Sequence, residues 1–137
     1  GGTVTSVQTA SDLAVAQGAS KVVPLVVAGA FHTPLMQSAA DGMKYVLAET
    51  SFQPPEIDVV SNVTGKVIPE SKFISNELHA QITQPVLWLD GVLEMMQLGI
   101  TNITEFGPGR VLTGAAKRTN RDLILRNIGK NEDLISS

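Results

Sequence analysis

One stretch constrains this chain more than any other: Val22-Val-Pro-Leu-Val-Val-Ala-Gly-Ala-Phe-His-Thr-Pro-Leu-Met36. Its apolar, β-branched run Val22, Val23, Val26 and Val27 predicts a buried strand, with Pro24 pushing that strand toward a sheet edge or a bulge. Gly29-Ala30 breaks the run, and Thr33-Pro34 then supplies a helix start, because threonine can cap and proline suits the first helical position. A strand that ends at a histidine and turns straight into a helix is a place where a site can be built. There the His32 ring lies near the positive end of a helix dipole, which favours the neutral imidazole that a general base needs. The competing reading is a buried histidine satisfied by a backbone carbonyl, and spacing does not choose between them.

The elements around this stretch follow from periodicity and caps. Ser11 to Gln17 can make two helical turns closed by Gly18. Leu35, Met36, Ala39, Met43, Val46 and Leu47 fall on one face of a helix predicted over 34–49. Ile57 to Val60 reads as a short strand running into the turn Ser61-Asn-Val-Thr-Gly-Lys66. A shorter helix is predicted from Ser75 to between Gln81 and Thr83, stopped by Pro85. Trp88, Leu89, Val92, Leu93 and Met96 recur at helical spacing up to Gly99. A strand over 100–106, the turn Gly107-Pro-Gly109, a helix over 111–117 and a strand over 123–128 complete the order. Such alternation predicts an α/β layer with parallel strands and right-handed crossovers.

Composition narrows what such a layer can do. At 137 residues and 43% apolar content the chain holds enough for one core. Its net charge of −3 with only ten Lys and Arg leaves no basic stripe for nucleic acid. No cysteine is present, which removes thiol catalysis, thiolate metal sites and disulfides and fits a reducing compartment. The longest apolar run falls far below the roughly 20 residues that span a bilayer, so no membrane partner is expected. A soluble intracellular chain is the expectation.

Few side chains are left to carry chemistry. None of the serines at 6, 11, 20, 38, 51, 61, 71, 75, 136 and 137 lies in a G-x-S-x-G elbow, so the residues alone name no nucleophile. His79, within a helical segment and without a histidine or carboxylate at i+4, reads as a surface residue rather than a metal ligand. Gly107-Pro-Gly-Arg-Val-Leu-Thr-Gly114 has the strand-turn-helix setting of a phosphate cradle without its glycine spacing. It reads as a tight turn, with Lys117 and Arg118 complementing the helix C-terminus.

Four blocks in order carry a resemblance: Gly29-Ala-Phe-His-Thr-Pro-Leu-Met36, Val59-Val-Ser-Asn-Val63, Gln81-Ile-Thr-Gln-Pro-Val-Leu-Trp88, and Glu105-Phe-Gly-Pro-Gly-Arg-Val-Leu-Thr-Gly-Ala-Ala-Lys-Arg118. Together they resemble the malonyl-CoA:acyl carrier protein transacylases of fatty acid synthesis, over about residues 21–130. The resemblance implies an α/β-hydrolase-like parallel sheet with helices, residues 1–28 ending a small ferredoxin-like lobe and 29–137 belonging to the larger acyltransferase lobe. In that family an elbow serine is acylated by malonyl-CoA and passes the malonyl group to the phosphopantetheine thiol of an acyl carrier protein, without a cofactor. The family's base maps onto His32, and the glutamine whose backbone carbonyl orients it maps onto Gln81. Phe31 resembles the bulky residue that goes with malonyl rather than methylmalonyl substrates, the alternative being core packing.

The family's chains are roughly twice this long. The serine elbow, the G-Q-G-x-Q segment of the oxyanion hole and the arginine that pairs with the malonyl carboxylate have no counterpart here. The resemblance therefore implies the C-terminal half of an enzyme, with the missing N-terminal half, coenzyme A thioester and acyl carrier protein as partners. Its setting would be the cytoplasm, or a plastid or mitochondrion in a eukaryote. Two alternatives stand beside it: the acyltransferase domain of a polyketide synthase, and a non-catalytic module that docks an acyl carrier protein.

Overall fold

A computed structural model describes residues 1–135. The chain opens with α1 (Val4–Ala16), longer than the two turns predicted, because Thr3 already caps it by accepting from the Ser6 N–H. Gly18, at φ +91°, closes it: the Gly18 and Ala19 N–H groups reach back to the Val15 and Ala14 carbonyls. No residue of α1 is buried.

The strand predicted over 22–27 does not form. A strand exists through its ladder, and among the described residues no neighbouring backbone pairs with this segment, which leaves Leu25 79% and Val26 fully exposed. The helix predicted over 34–49 does form. It begins as a 3-10 turn, Pro34–Met36, and continues as α2 (Gln37–Ala48). The Thr33 hydroxyl accepts from the Leu35 N–H at 3.3 Å and donates to the Ala30 carbonyl at 2.6 Å. Its buried residues are Ala40 and Leu47, which face α3, whereas Leu35, Met43 and Val46 of the predicted stripe stay exposed.

The strand expected at Ile57 to Val60 is reduced to one antiparallel bridge, Val60 to Val67, around a tight turn. Within it the Ser61 N–H donates to the Lys66 carbonyl and the Gly65 N–H to the Ser61 carbonyl. Gly65 holds φ +65°, and a Cβ there would sit 2.5 Å from that of Asp90, so this position admits only glycine without displacement. A 3-10 turn (Ser71–Phe73) leads into α3 (Ile74–Ala80), followed by α4 (Trp88–Gln97). Gly99, at φ +83°, ends α4 with its own N–H on the Met96 carbonyl and that of Ile100 on the Met95 carbonyl.

The predicted β-α-β unit is present: β1 (Asn102–Phe106), α5 (Val111–Thr119) and β2 (Ile124–Ile128), with the strands parallel and Ile103 opposite Leu125. The core lies where α4 and α5 meet this pair. Val92 and Ala116 are fully buried, Leu123 nearly so, and Trp88, Met95, Met96, Ile103 and Leu125 pack around them. Burying an aliphatic side chain such as Val92 contributes about 1.5–3 kcal/mol. The class is α/β with a small parallel sheet. Among the described residues no helix is long and apolar enough to cross a membrane.

Candidate active site

His32 occupies the bend between the unpaired 22–27 segment and the Thr33 cap, and its backbone is unusual. It is the one non-glycine among the described residues with a positive φ, 61°. Holding a non-glycine residue there costs about 1–2 kcal/mol, although histidine tolerates it better than most. Two hydrogen bonds fix the residue. Its N–H donates to the Ile82 carbonyl at 3.1 Å, and its ring Nδ1 lies 2.7 Å from the Gln81 carbonyl. A carbonyl only accepts, so Nδ1 carries a proton and, in the neutral ring, Nε2 presents a bare lone pair. His32 is exposed, which sets aside the reading of a buried histidine while keeping the carbonyl partner. The two accepting carbonyls lie just past α3, where helical carbonyls lose their intrahelical partners.

Phe31 stands beside the histidine at 53% exposure, its ring against Gly29, where an added Cβ would meet it at 3.3 Å. It is not core packing. Among the described residues, none of the serine hydroxyls is hydrogen-bonded to His32.

Three residues that sequence reasoning left out of the site surround Gln81. Its side-chain Oε1 accepts from Asn62 Nδ2 at 3.1 Å. Glu77, one turn earlier in α3, takes the buried Ser61 hydroxyl at 2.5 Å and the N–H groups of Asn62 and Val63 at 2.9 and 3.2 Å. The signal for them was present: Glu77 and Gln81 are four apart, hence on one helical face, and Ser61-Asn62 opens a turn rich in side-chain acceptors.

The Gly107-Pro-Gly109 turn is no open phosphate cradle. The Glu105 carboxylate fills the start of α5, accepting the Leu112 N–H at 3.1 Å, the Thr113 N–H at 2.9 Å and the Thr113 hydroxyl at 2.8 Å. The bond from the Thr113 N–H, with lesser help from its hydroxyl and from Leu112, holds the Glu105 carboxyl below its ordinary range. Lys117 and Arg118 sit in the last turn of α5, as expected. His79, read as a surface residue, is half-buried under α2, with Nε2 sealed from solvent and, among the described residues, without a hydrogen-bond partner, beside a cavity lined by Lys44, Leu47 and Ser75. Among the described residues no group of three or more His, Cys, Asp or Glu could hold a metal ion.

No protein-family profile matches the chain. The malonyl CoA-acyl carrier protein transacylase of Bacillus subtilis is 38% identical over 122 residues, which is 89% of this chain and 38% of that protein. Among solved structures, the malonyl-CoA:acyl carrier protein transacylase of Xanthomonas oryzae has a TM-score of 0.89 at 36% identity, covering 97% of this chain and 42% of that one. A malonyl-transacylase solved in complex with a type II polyketide synthase acyl carrier protein has a TM-score of 0.91 at 34% identity, covering 97% and 43%. The chain spans about two-fifths of the length of these relatives. Over nearly all of its own length, it is homologous to a portion of the malonyl-CoA:acyl carrier protein transacylases.

Proposed function

We propose that this chain supplies the histidine-bearing, C-terminal part of an enzyme that moves a malonyl group from coenzyme A to the phosphopantetheine thiol of an acyl carrier protein. The observation that carries the reading is the 2.7 Å bond from His32 Nδ1–H to the Gln81 carbonyl, which leaves Nε2 free to take a proton. In this reaction Nε2 accepts the proton of a serine hydroxyl carried by the rest of the enzyme as its Oγ attacks the thioester carbonyl. The tetrahedral intermediate collapses, the carbon–sulfur bond breaks, and the imidazolium returns the proton to the departing coenzyme A thiolate. In the second half, Nε2 deprotonates the carrier thiol, which attacks the acyl-serine ester, and the serine leaves with that proton. Gln81 holds the ring in the productive tautomer throughout, the third-member role of a triad. No step requires a cofactor. Phe31 lies beside the base, where its ring would meet a 2-methyl branch on the substrate.

Residues 1–28 fit the end of a ferredoxin-like lobe and 29–137 the C-terminal part of an α/β-hydrolase-like lobe. An acidic, cysteine-free surface fits a reducing compartment such as the cytoplasm or an organelle that makes fatty acids.

The test joins this chain to the N-terminal portion of the Bacillus subtilis relative and follows malonyl transfer to a fatty-acid carrier and to a type II polyketide carrier. Turnover is expected, and His32→Ala should lower it by at least about 10²-fold. The chain alone, incubated with malonyl-CoA, should take up no stable acyl group. A stable acyl-serine adduct on it, or turnover indifferent to His32→Ala, would defeat the reading.

A further inference from the structure

The carboxylate of Glu77 touches neither His32 nor any place where a substrate would meet that ring, yet it anchors the structure that aims it. Its Oε2 takes the Ser61 hydroxyl proton, while the same hydroxyl oxygen accepts the Val63 and Thr64 N–H groups at 3.1 and 2.8 Å. Its Oε1 takes the Asn62 and Val63 N–H groups. One charged group, in bonds stronger than neutral ones, thus organises the whole turn, and Ser61 is only 4% exposed.

Asn62 is the outlet of this cluster. Its N–H is held by Glu77, its carbonyl accepts the Leu87 N–H at 2.8 Å, and its side-chain amide donates to Gln81 Oε1. Gln81 is therefore gripped at both ends, since its own N–H bonds the Glu77 carbonyl at 3.0 Å. What remains of Gln81 is its backbone carbonyl, and that is the acceptor for His32 Nδ1–H.

We propose that Glu77, acting through Ser61, Asn62 and the Gln81 side chain, is a positioning residue for His32 that holds the Gln81 carbonyl in place and so selects the Nδ1–H tautomer. The functional weight of this proposal rests on the reading of His32 as the base; its structural content does not. A neutral imidazole released from such an acceptor redistributes its proton between the two nitrogens, so the tautomer reports the coupling directly.

The experiment is long-range 1H–15N correlation NMR of the imidazole rings in the 137-residue chain, at a pH where the His32 ring is neutral. The unsubstituted chain should show the Nδ1–H form. Asn62→Asp, nearly isosteric but without the donor to Gln81, and Glu77→Ala should each lower the ratio of Nδ1–H to Nε2–H by roughly threefold to tenfold, the weight of one hydrogen bond. Glu77→Gln keeps an oxygen for the two backbone N–H groups and should retain most of the original ratio. If Glu77→Ala fails to fold, Glu77→Gln and Asn62→Asp decide between them. An unchanged ratio in folded Asn62→Asp, or an Nε2–H form in the unsubstituted chain, overturns the proposal. The readout involves no substrate, so a preserved coupling in a chain that supports no malonyl transfer would sustain the positioning role and defeat only the catalytic one.

Discussion

Gly65→Ala is the substitution whose cost the structure specifies best. Two penalties add. The first is conformational: at φ +65° an alanine pays about 1–2 kcal/mol for left-handed backbone. The second is steric. The new Cβ would lie 2.5 Å from the Asp90 Cβ and 3.2 Å from both the Asp90 carbonyl carbon and the Gly91 nitrogen. Unstrained carbon atoms sit about 3.5–4.0 Å apart, so the overlap is about 1 Å. The groups struck are the first turn of α4, which cannot rotate away as a flexible side chain would. Overpacking of this kind costs about 1–3 kcal/mol, for a total of about 2–5 kcal/mol. With a urea dependence of about 1–3 kcal/mol per molar, the unfolding midpoint should fall by at least about 0.7 M. Gly99→Ala is the control, since Gly99 has φ +83° and nothing within 4 Å of the added carbon, leaving the conformational penalty alone. If both variants lose the same stability, the contact with Asp90 is refuted; if Gly65→Ala loses none, so is the left-handed turn.

Other outcomes follow from the same geometry. His32→Gly and His32→Ala both delete the ring, but only glycine is at ease at φ 61°, so the glycine variant should unfold at the higher urea concentration, by about 1–2 kcal/mol in stability. Glu94 and Glu105 both titrate below their ordinary range in the folded chain, Glu94 chiefly through its bond from Lys66 Nζ at 2.6 Å and Glu105 through the Thr113 N–H. Depressed carboxyls stabilise above the unfolded value and lose that contribution as the pH falls below about 4.3. Thermal unfolding should show the loss there, and Glu105→Gln should flatten it. In the enzyme completed with a relative's N-terminal portion, Phe31→Ala should narrow the preference for malonyl- over methylmalonyl-CoA by roughly tenfold or more in kcat/KM; an unchanged preference would remove Phe31 from the substrate pocket.

What could be read in advance divides along a physical line. Helices satisfy their backbone within one segment, so caps and periodicity suffice: Thr33-Pro34, Gly18 and Gly99 mark the ends that form. Strands do not. Val22 to Val27 carries as strong a β signal as Ile124 to Ile128, yet among the described residues only the latter finds a partner backbone, in β1. The burial of His79 escaped for a related reason, since polarity describes a side chain and not the helix α2 that comes to lie over it. His32 and Gln81, 49 residues apart, were linked only by the resemblance, because a bond to a backbone carbonyl leaves no mark on residue type. Glu77 left only its four-residue spacing from Gln81 as a signal. Its meaning depends on a turn 14 to 16 residues away.

The β1–β2 pair shows how unequal the two faces of this fold are. One face alternates inward, with Ile103 and Leu125 against Val92, Ala116 and Leu123, and Glu105 capping α5 from the same side. The other presents Thr104, Phe106, Ile124 and Arg126 to solvent, with Phe106 74% and Ile124 64% exposed. Parallel strands are stable when both faces are covered and when more than two strands share the ladder. Here α4 and α5 cover one face of the two-stranded pair, whereas Phe106 and Ile124 on the other stay exposed. The unpaired Val22–Val27 segment offers a further backbone seeking a partner. Further strands beside this segment and cover for the exposed face are what the proposed remainder of the enzyme would bring, and His32 stands at the end of that unpaired segment. Completing the sheet would therefore fix His32 on its strand side, as the proposed coupling through Glu77 and Asn62 would fix it through Gln81.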